Sequence, residues 1–160
     1  MLDLLIPTIA QGLLWSLLAL GVYITFRVLD IADLSVEGTF PLGAAVAATC
    51  ITSGHSLVTA FVLAVLAGCV AGAVTGLLTT KLKIPALLSG ILTMIGLYSI
   101  NLRVMGRANL SLLGQTTIYS WGASAGLTEA QTTLAVGLIA ALLVVAVVYW
   151  FFGTEIGLAL

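Results

Sequence analysis

The chain has 160 residues, of which 61% are hydrophobic and 7% charged, with a formal net charge of −1. A soluble domain carries about 25% charged residues, so this chain lacks the side chains to cover a water-facing surface. The near-neutral balance also gives no basis for nucleic-acid binding or for a polybasic contact with a membrane.

With mean hydropathy at +1.26, the natural solvent is a lipid bilayer, whose roughly 30 Å hydrocarbon core takes about 20 apolar residues per helix. Charge-free intervals locate the spans. Leu4–Phe26 is the first, closed by Arg27. The start, Met1-Leu2-Asp3, lacks the basic region of a secretory signal peptide, so this run is expected to be retained. Gly38–Thr80 is the second interval, broken only by His55. As one helix it would extend about 65 Å, twice the bilayer core. It must fold back, and Thr52-Ser53-Gly54-His55-Ser56 is its only turn-like cluster. Leu57–Leu82 then forms a full span ending in Lys81 and Lys83. Pro85–Leu102 follows, opened by a proline suited to a first helical turn. Arg103–Gln131 is too polar and glycine-rich to cross, and Tyr119 and Trp121 suit a segment lying at the membrane interface. Thr132–Phe152 is the last span.

The expected fold is therefore all-α: a polytopic transmembrane helical bundle of about five membrane elements, one of them broken or re-entrant, in a single membrane domain over 1–160. Lysine and arginine favour the cytoplasmic side. An outside N-terminus puts Arg27, Lys81 and Lys83 inside and Arg103 and Arg107 outside, leaving the C-terminus in the cytoplasm.

The irregular element is the second. Its uninterrupted apolar part, Phe40–Ile51, makes roughly 18 Å of helix, too short to span. To reach across, the chain must draw on Asp30-Ile-Ala-Asp33-Leu-Ser35-Val-Glu37-Gly-Thr39, which brings three carboxylates to or below the membrane surface. Ionisable groups there are costly and usually face a cavity or a partner. Either Thr39 caps the helix, with Pro41 in its first turn, or Ser35 caps it, with Glu37 in the first turn where the dipole favours an acid. Both readings give a broken helix of the kind transporters use to hold polar groups at depth. The plainer alternative pairs Arg27 with Asp30 and leaves the acids in solvated loop.

Gly68, Gly72 and Gly76 form a tandem small-residue repeat of the kind that lets helices pack closely in lipid. Thr93, Tyr98, Ser99 and Asn101 can share faces of the fourth element, either bonding to a neighbouring helix or lining a polar path. The candidate path residues are thus Asp33, Ser35, Glu37, Thr39, Thr93 and Asn101. Cys50 and Cys69 lie in apolar runs and read as packing residues, and His55 reads as solvated. No metal, nucleotide-binding or catalytic signature is present, so no catalytic residue and no cofactor is assigned to this chain.

Asp33-Leu-Ser35-Val-Glu37-Gly-Thr39-Phe-Pro41-Leu-Gly-Ala-Ala-Val resembles permease subunits of bacterial ABC importers, in the branch of the branched-chain amino acid and ribose permeases. Within it the chain looks most like the tryptophan- and tyrosine-type permeases. Pro85-Ala-Leu-Leu-Ser-Gly-Ile-Leu-Thr-Met-Ile-Gly-Leu-Tyr-Ser-Ile-Asn-Leu-Arg103-Val-Met-Gly and the ending Gly153-Thr-Glu-Ile-Gly157-Leu-Ala-Leu160 carry the resemblance further. The resemblance implies a multi-pass protein of the bacterial cytoplasmic membrane that dimerises with a second permease subunit. It implies that cytoplasmic ATPase subunits drive it, and that an extracytoplasmic binding protein or lipoprotein delivers an amino acid or similar small solute for alternating access. It also implies that 1–160 is the N-terminal half of a permease domain, stopping before a cytoplasmic coupling loop. Half of an ion-coupled secondary transporter, with Asp33 or Glu37 taking the ion, is the alternative, and a membrane enzyme is the third reading, weakened by the missing catalytic constellation.

Overall fold

The computed structural model describes residues 2–28 and 30–155. Among these, every regular element is helical: α1 (Leu2–Tyr23), α2 (Val36–Thr52), α3 (Leu57–Thr80), α4 (Ala86–Met105), α5 (Ile118–Ser124) and α6 (Glu129–Phe152). Four helical stretches are long and apolar enough to cross a membrane, and α2 is a shorter apolar helix. The protein is a multi-pass membrane protein built as a helical bundle. Its helices gather into two compact units, α1 with α5 and α6, and Asp30–Thr117 with α2, α3 and α4.

In the first unit, α1 and α6 pack along their length. A Cβ on Gly137 would lie 3.3 Å from Leu13 Cβ and 3.7 Å from the Ala10 carbonyl, and Ala10 is buried. Further along, Leu20 shares a groove with Val145, Tyr149 and Phe152. Rising numbers therefore pair with rising numbers, and the two helices run parallel. The helix of α1 passes into a π-helical turn over Ile24–Val28, so it continues beyond Phe26 and carries Arg27 in its last turn. α6 starts at Glu129 rather than Thr132 because Thr128 and Gln131 form a reciprocal capping box. Gln131 N–H donates to Thr128 Oγ1 at 3.4 Å, and Thr128 N–H donates to Gln131 Oε1 at 3.0 Å. The polar stretch before it contains α5, a single short helix packed on α6, with Trp121 exposed.

In the second unit the expected fold-back after α2 is met. Gly54 takes φ +80°, with Gly54 N–H donating to Ile51 C=O and His55 N–H donating to Cys50 C=O, each at 3.0 Å. This is the paired bonding of a left-handed glycine cap, which satisfies the last carbonyls of α2. Ser56 then caps α3 by accepting from Thr59 N–H at 3.3 Å. Two residues, Gly54 and His55, thus separate one cap from the next, which forces α2 and α3 antiparallel. α3 and α4 form a second hairpin through Lys81–Pro85, so α2 and α4 run parallel. Pro85 sits just ahead of α4 rather than inside its first turn, its carbonyl accepting from Ser89 N–H at 2.9 Å. α4 extends past Leu102 to Met105 and ends at Gly106, φ +67°. Arg103 in the last turn does not end the helix, because a cation there complements the dipole.

The core of this unit is small: Leu42, Ala71 and Leu97, one from each helix, with Val46 and Ala67 packed on them. Most of α3 presents exposed Val, Leu and Phe, as expected of a helix that is apolar all round and faces lipid.

Thr128→Ala removes half of the capping box and is expected to cost about 1 kcal/mol. Thermal melting of the purified protein in detergent checks this, with Thr133→Ala as the in-helix comparison.

Candidate functional site: the sunken start of α2

The segment Asp30–Leu34 is non-helical, and α2 begins at Val36. Of the two possible caps, Ser35 holds the N-cap position, yet its side chain makes no capping bond. Asp33 Oδ1 accepts from Ser35 N–H at 2.8 Å, fixing the turn ahead of the helix, and Ser35 C=O accepts from Gly38 N–H at 3.0 Å and Thr39 N–H at 2.9 Å. Thr39 is inside the helix, donating to Val36 C=O at 3.2 Å. Glu37 is in the first turn, where the dipole favours an acid. Pro41 lies within α2 without ending it. The irregularity is thus a lead-in ahead of the helix, not a break within it.

That lead-in is held against α4 by two glycines. A Cβ on Gly90 would stand 2.7 Å from Leu34 N, 2.8 Å from Asp33 Oδ1 and 3.2 Å from Ser35 N. A Cβ on Gly38 would stand 2.9 Å from Met94 Cα and 3.2 Å from Leu97 Cβ. Only glycine permits either approach. The register fixes depth: Gly90 lies about 6 Å and Met94 about 12 Å along α4 from its start. Glu37, next to Gly38, therefore lies beside the second to third turn of α4, a helix long and apolar enough to cross a membrane. The polar backbone ahead of it is tolerated because protein covers it: Ser35 is 3% exposed and Asp33 half-buried.

On the other side of α4, a polar seam joins α3. Thr75 Oγ1 donates to Thr93 Oγ1 at 2.9 Å, and Thr79 Oγ1 donates to Ser89 Oγ at 3.0 Å. Ser89 is fully buried, and its hydroxyl donates to Pro85 C=O at 3.1 Å. Thr93 thus faces α3, while Glu37 and Asn101 line a cleft of about 570 Å³ between α2 and α4. The structure gathers Asp33, Ser35, Glu37 and Asn101 along the α2–α4 contact, keeps Thr39 bonded within α2 and sets Thr93 apart on the α3 side. Sequence reasoning missed Gly38 and Gly90, although both stand inside the motifs that carried the resemblance.

The tandem glycines are a different case. Among the described residues nothing lies within 4 Å of a Cβ built on Gly68, Gly72 or Gly76. α3 packs on its partners through Ala60, Ala71 and Thr75 instead. The expectation that the three glycines bring helices together is not met inside this unit. Their side of α3 meets no other helix of this unit. Residues 156–160, the last part of the terminal motif, lie outside the described residues.

A family model, the branched-chain amino acid transport system permease component, matches residues 4–160. The chain belongs to this permease family. Among curated proteins, a tyrosine transport system permease protein of Clostridioides difficile (strain R20291) is 51% identical over 108 residues, which is 68% of this chain and 37% of that protein. An uncharacterized protein, RP368, of Rickettsia prowazekii (strain Madrid E) is 41% identical over 119 residues, 74% of this chain and 42% of that protein. The chain thus spans about two-fifths of the length of these relatives. No solved structure matches.

The glycine contacts and the hydroxyl seam differ in weight. A hydrogen bond between membrane helices is worth about 0.6 kcal/mol on average, whereas forcing a side chain into a filled contact costs about 1–3 kcal/mol. Gly90→Val is therefore expected to destabilise the permease more than Thr75→Val does, read as the drop in melting temperature in detergent. Gly72→Leu is expected to leave that temperature within the range of a surface change. If it nonetheless abolishes assembly of the full permease, on size-exclusion chromatography with light scattering, the glycine side of α3 meets another chain.

Proposed function

We propose that the chain is part of the membrane-spanning permease subunit of an ATP-driven importer, passing a small solute inward by alternating access. What supports this reading is the family match over residues 4–160, together with an acid-bearing helix start packed on a candidate membrane span, which in this reading lies at bilayer depth. Carboxylates at that depth cost several kcal/mol unless they face a partner, a cavity or water, and Glu37 lines a cleft. The solute is an amino acid; the relative named a tyrosine transport permease favours one with an aromatic side chain.

In this reading the subunit is not an enzyme and needs no cofactor of its own. Separate ATPase subunits on the cytoplasmic side hydrolyse ATP, a second permease subunit completes the path, and an extracytoplasmic binding protein or lipoprotein delivers the solute. The location is the bacterial cytoplasmic membrane. The α2 lead-in and the Lys81–Lys83 turn lie at one end of their unit, so a cytoplasmic turn sets the acids on the inward half of the path.

The test is uptake by the full-length permease reconstituted with its ATPase and binding protein. Amino-acid uptake is expected to require ATP, and Glu37→Gln is expected to lower the rate at least about tenfold without changing membrane insertion. Uptake driven by an ion gradient with no ATPase present would replace this reading with an ion-coupled carrier.

A further inference from the structure

The wall of the α2–α4 cleft holds a buried acceptor with nothing to accept. Asn101 is 7% exposed, and its Oδ1 is buried with no hydrogen-bond partner. Its Nδ2 faces the Gly38 carbonyl at 3.5 Å. Since that carbonyl can only accept, the amide must turn its nitrogen there, which leaves Oδ1 as the free end. A buried polar atom without a partner costs about 1–3 kcal/mol, more than the long contact to Gly38 returns. In a native protein such an atom calls for an explanation, a bound donor among them.

Two further acceptors belong to the same cleft. Glu37 lines it with its carboxylate. Pro41, also in the lining, has no N–H to donate to the Glu37 carbonyl one turn earlier, so that oxygen lacks its usual helical donor. No basic side chain lines the cleft, and the remaining wall is apolar, with Met94, Ile95, Leu102 and Met105 around Tyr98. Among the described residues no group of three or more His, Cys, Asp or Glu could hold a metal ion.

From this arrangement we infer that the α2–α4 cleft binds the protonated amino group of an amine with an apolar side chain, the ammonium donating to Asn101 Oδ1 and the Glu37 carboxylate. An ammonium offers three donors and a positive charge, which matches a neutral acceptor beside an anionic one in a site with no cation of its own. Bonds of this charge-assisted type are about twice as strong as neutral ones. The methionines and leucine of the wall adapt to an irregular or aromatic side chain. The inference rests on the permease reading for its setting and names the part of the solute that this site holds. The site requires the amino group and makes no use of a carboxylate.

The experiment uses purified full-length permease in phosphatidylcholine nanodiscs, titrated with tyramine, L-tyrosine and 3-(4-hydroxyphenyl)propionate, the last lacking the amine. Tyramine and tyrosine are expected to bind and the propionate is not, and Glu37→Gln and Asn101→Leu each weaken tyramine at least about tenfold, a loss of 1.4 kcal/mol or more. Glu37 is exposed, so Glu37→Gln carries the test if Asn101→Leu does not fold. Equal binding of all three probes, no binding by either amine, or variants that bind tyramine unchanged would each overturn the site. Stabilisation by sodium chloride, but not by tyramine, would replace it with a monovalent-ion site. Stabilisation by phosphatidylethanolamine, but not by tyramine, would assign the ammonium to a lipid headgroup and overturn the solute site. Failure here is separable from failure of the permease reading. ATP-driven amino-acid uptake with amine binding untouched by Glu37→Gln sinks only the site. Amine binding that depends on Glu37, without ATP-driven uptake, sinks only the importer.

Discussion

The second unit depends on how closely α2 approaches α4. A bilayer offers no water to pair with backbone groups, so any chain that enters it without forming a helix must be covered by protein. Gly90 and Gly38 provide that cover by bringing the lead-in and the first turn of α2 to the surface of α4, where a Cβ would fall under 3 Å from backbone atoms. Separating these elements by the width of one methyl group would leave the amides of Leu34 and Ser35 and the Asp33 carboxylate facing hydrocarbon. The placement of the α2 acids against α4 follows from this contact.

The two faces of α4 do different work. Toward α3 it presents hydroxyls that bond side chain to side chain, Ser89 to Thr79 and Thr93 to Thr75. Every polar atom on that face has a partner, and the seam joins the hairpin. Toward α2 it presents glycine, methionine, tyrosine and asparagine, and there one buried oxygen, Asn101 Oδ1, has none. A satisfied polar face holds helices together, while an unsatisfied one stores free energy that a ligand can recover. The asymmetry around a single helix separates a structural surface from a binding surface in a protein whose composition looks uniform.

Much of the fold was legible in the sequence because the bilayer simplifies the code. Spans of about 20 apolar residues, the Ser53–Ser56 turn and the shortness of the second element follow from charge spacing and length. Boundaries moved where local chemistry overrode that spacing: the Thr128–Gln131 box drew α6 back to Glu129, and left-handed Gly106 let α4 run past Arg103. The glycines were the hardest to read. Gly68, Gly72 and Gly76 have the regular spacing that suggests packing, yet they stand open, whereas the isolated Gly38 and Gly90 make the close contacts. Spacing says which residues share a face of a helix. It does not say which face meets a neighbour.

The sequence by itself determined that this protein lives in a membrane, crosses it as helices, carries an element whose apolar part is short and preceded by acids, and belongs with a family of permeases. Those properties follow from hydrophobicity, chain length and local motifs, which act on residues near one another in the chain. Only the tertiary structure decided that Ser35 rather than Thr39 stands at the start of α2, its N–H held by Asp33, that Thr93 bonds to α3, and that Glu37 and Asn101 share a cleft. The last two depend on contacts between residues far apart in the chain, Thr93 with Thr75 eighteen positions away and Asn101 with Gly38 sixty-three away, and the seating of the α2 start on α4 depends on the absence of a side chain at Gly90. No local rule specifies such a meeting, because it is fixed by how whole helices pack.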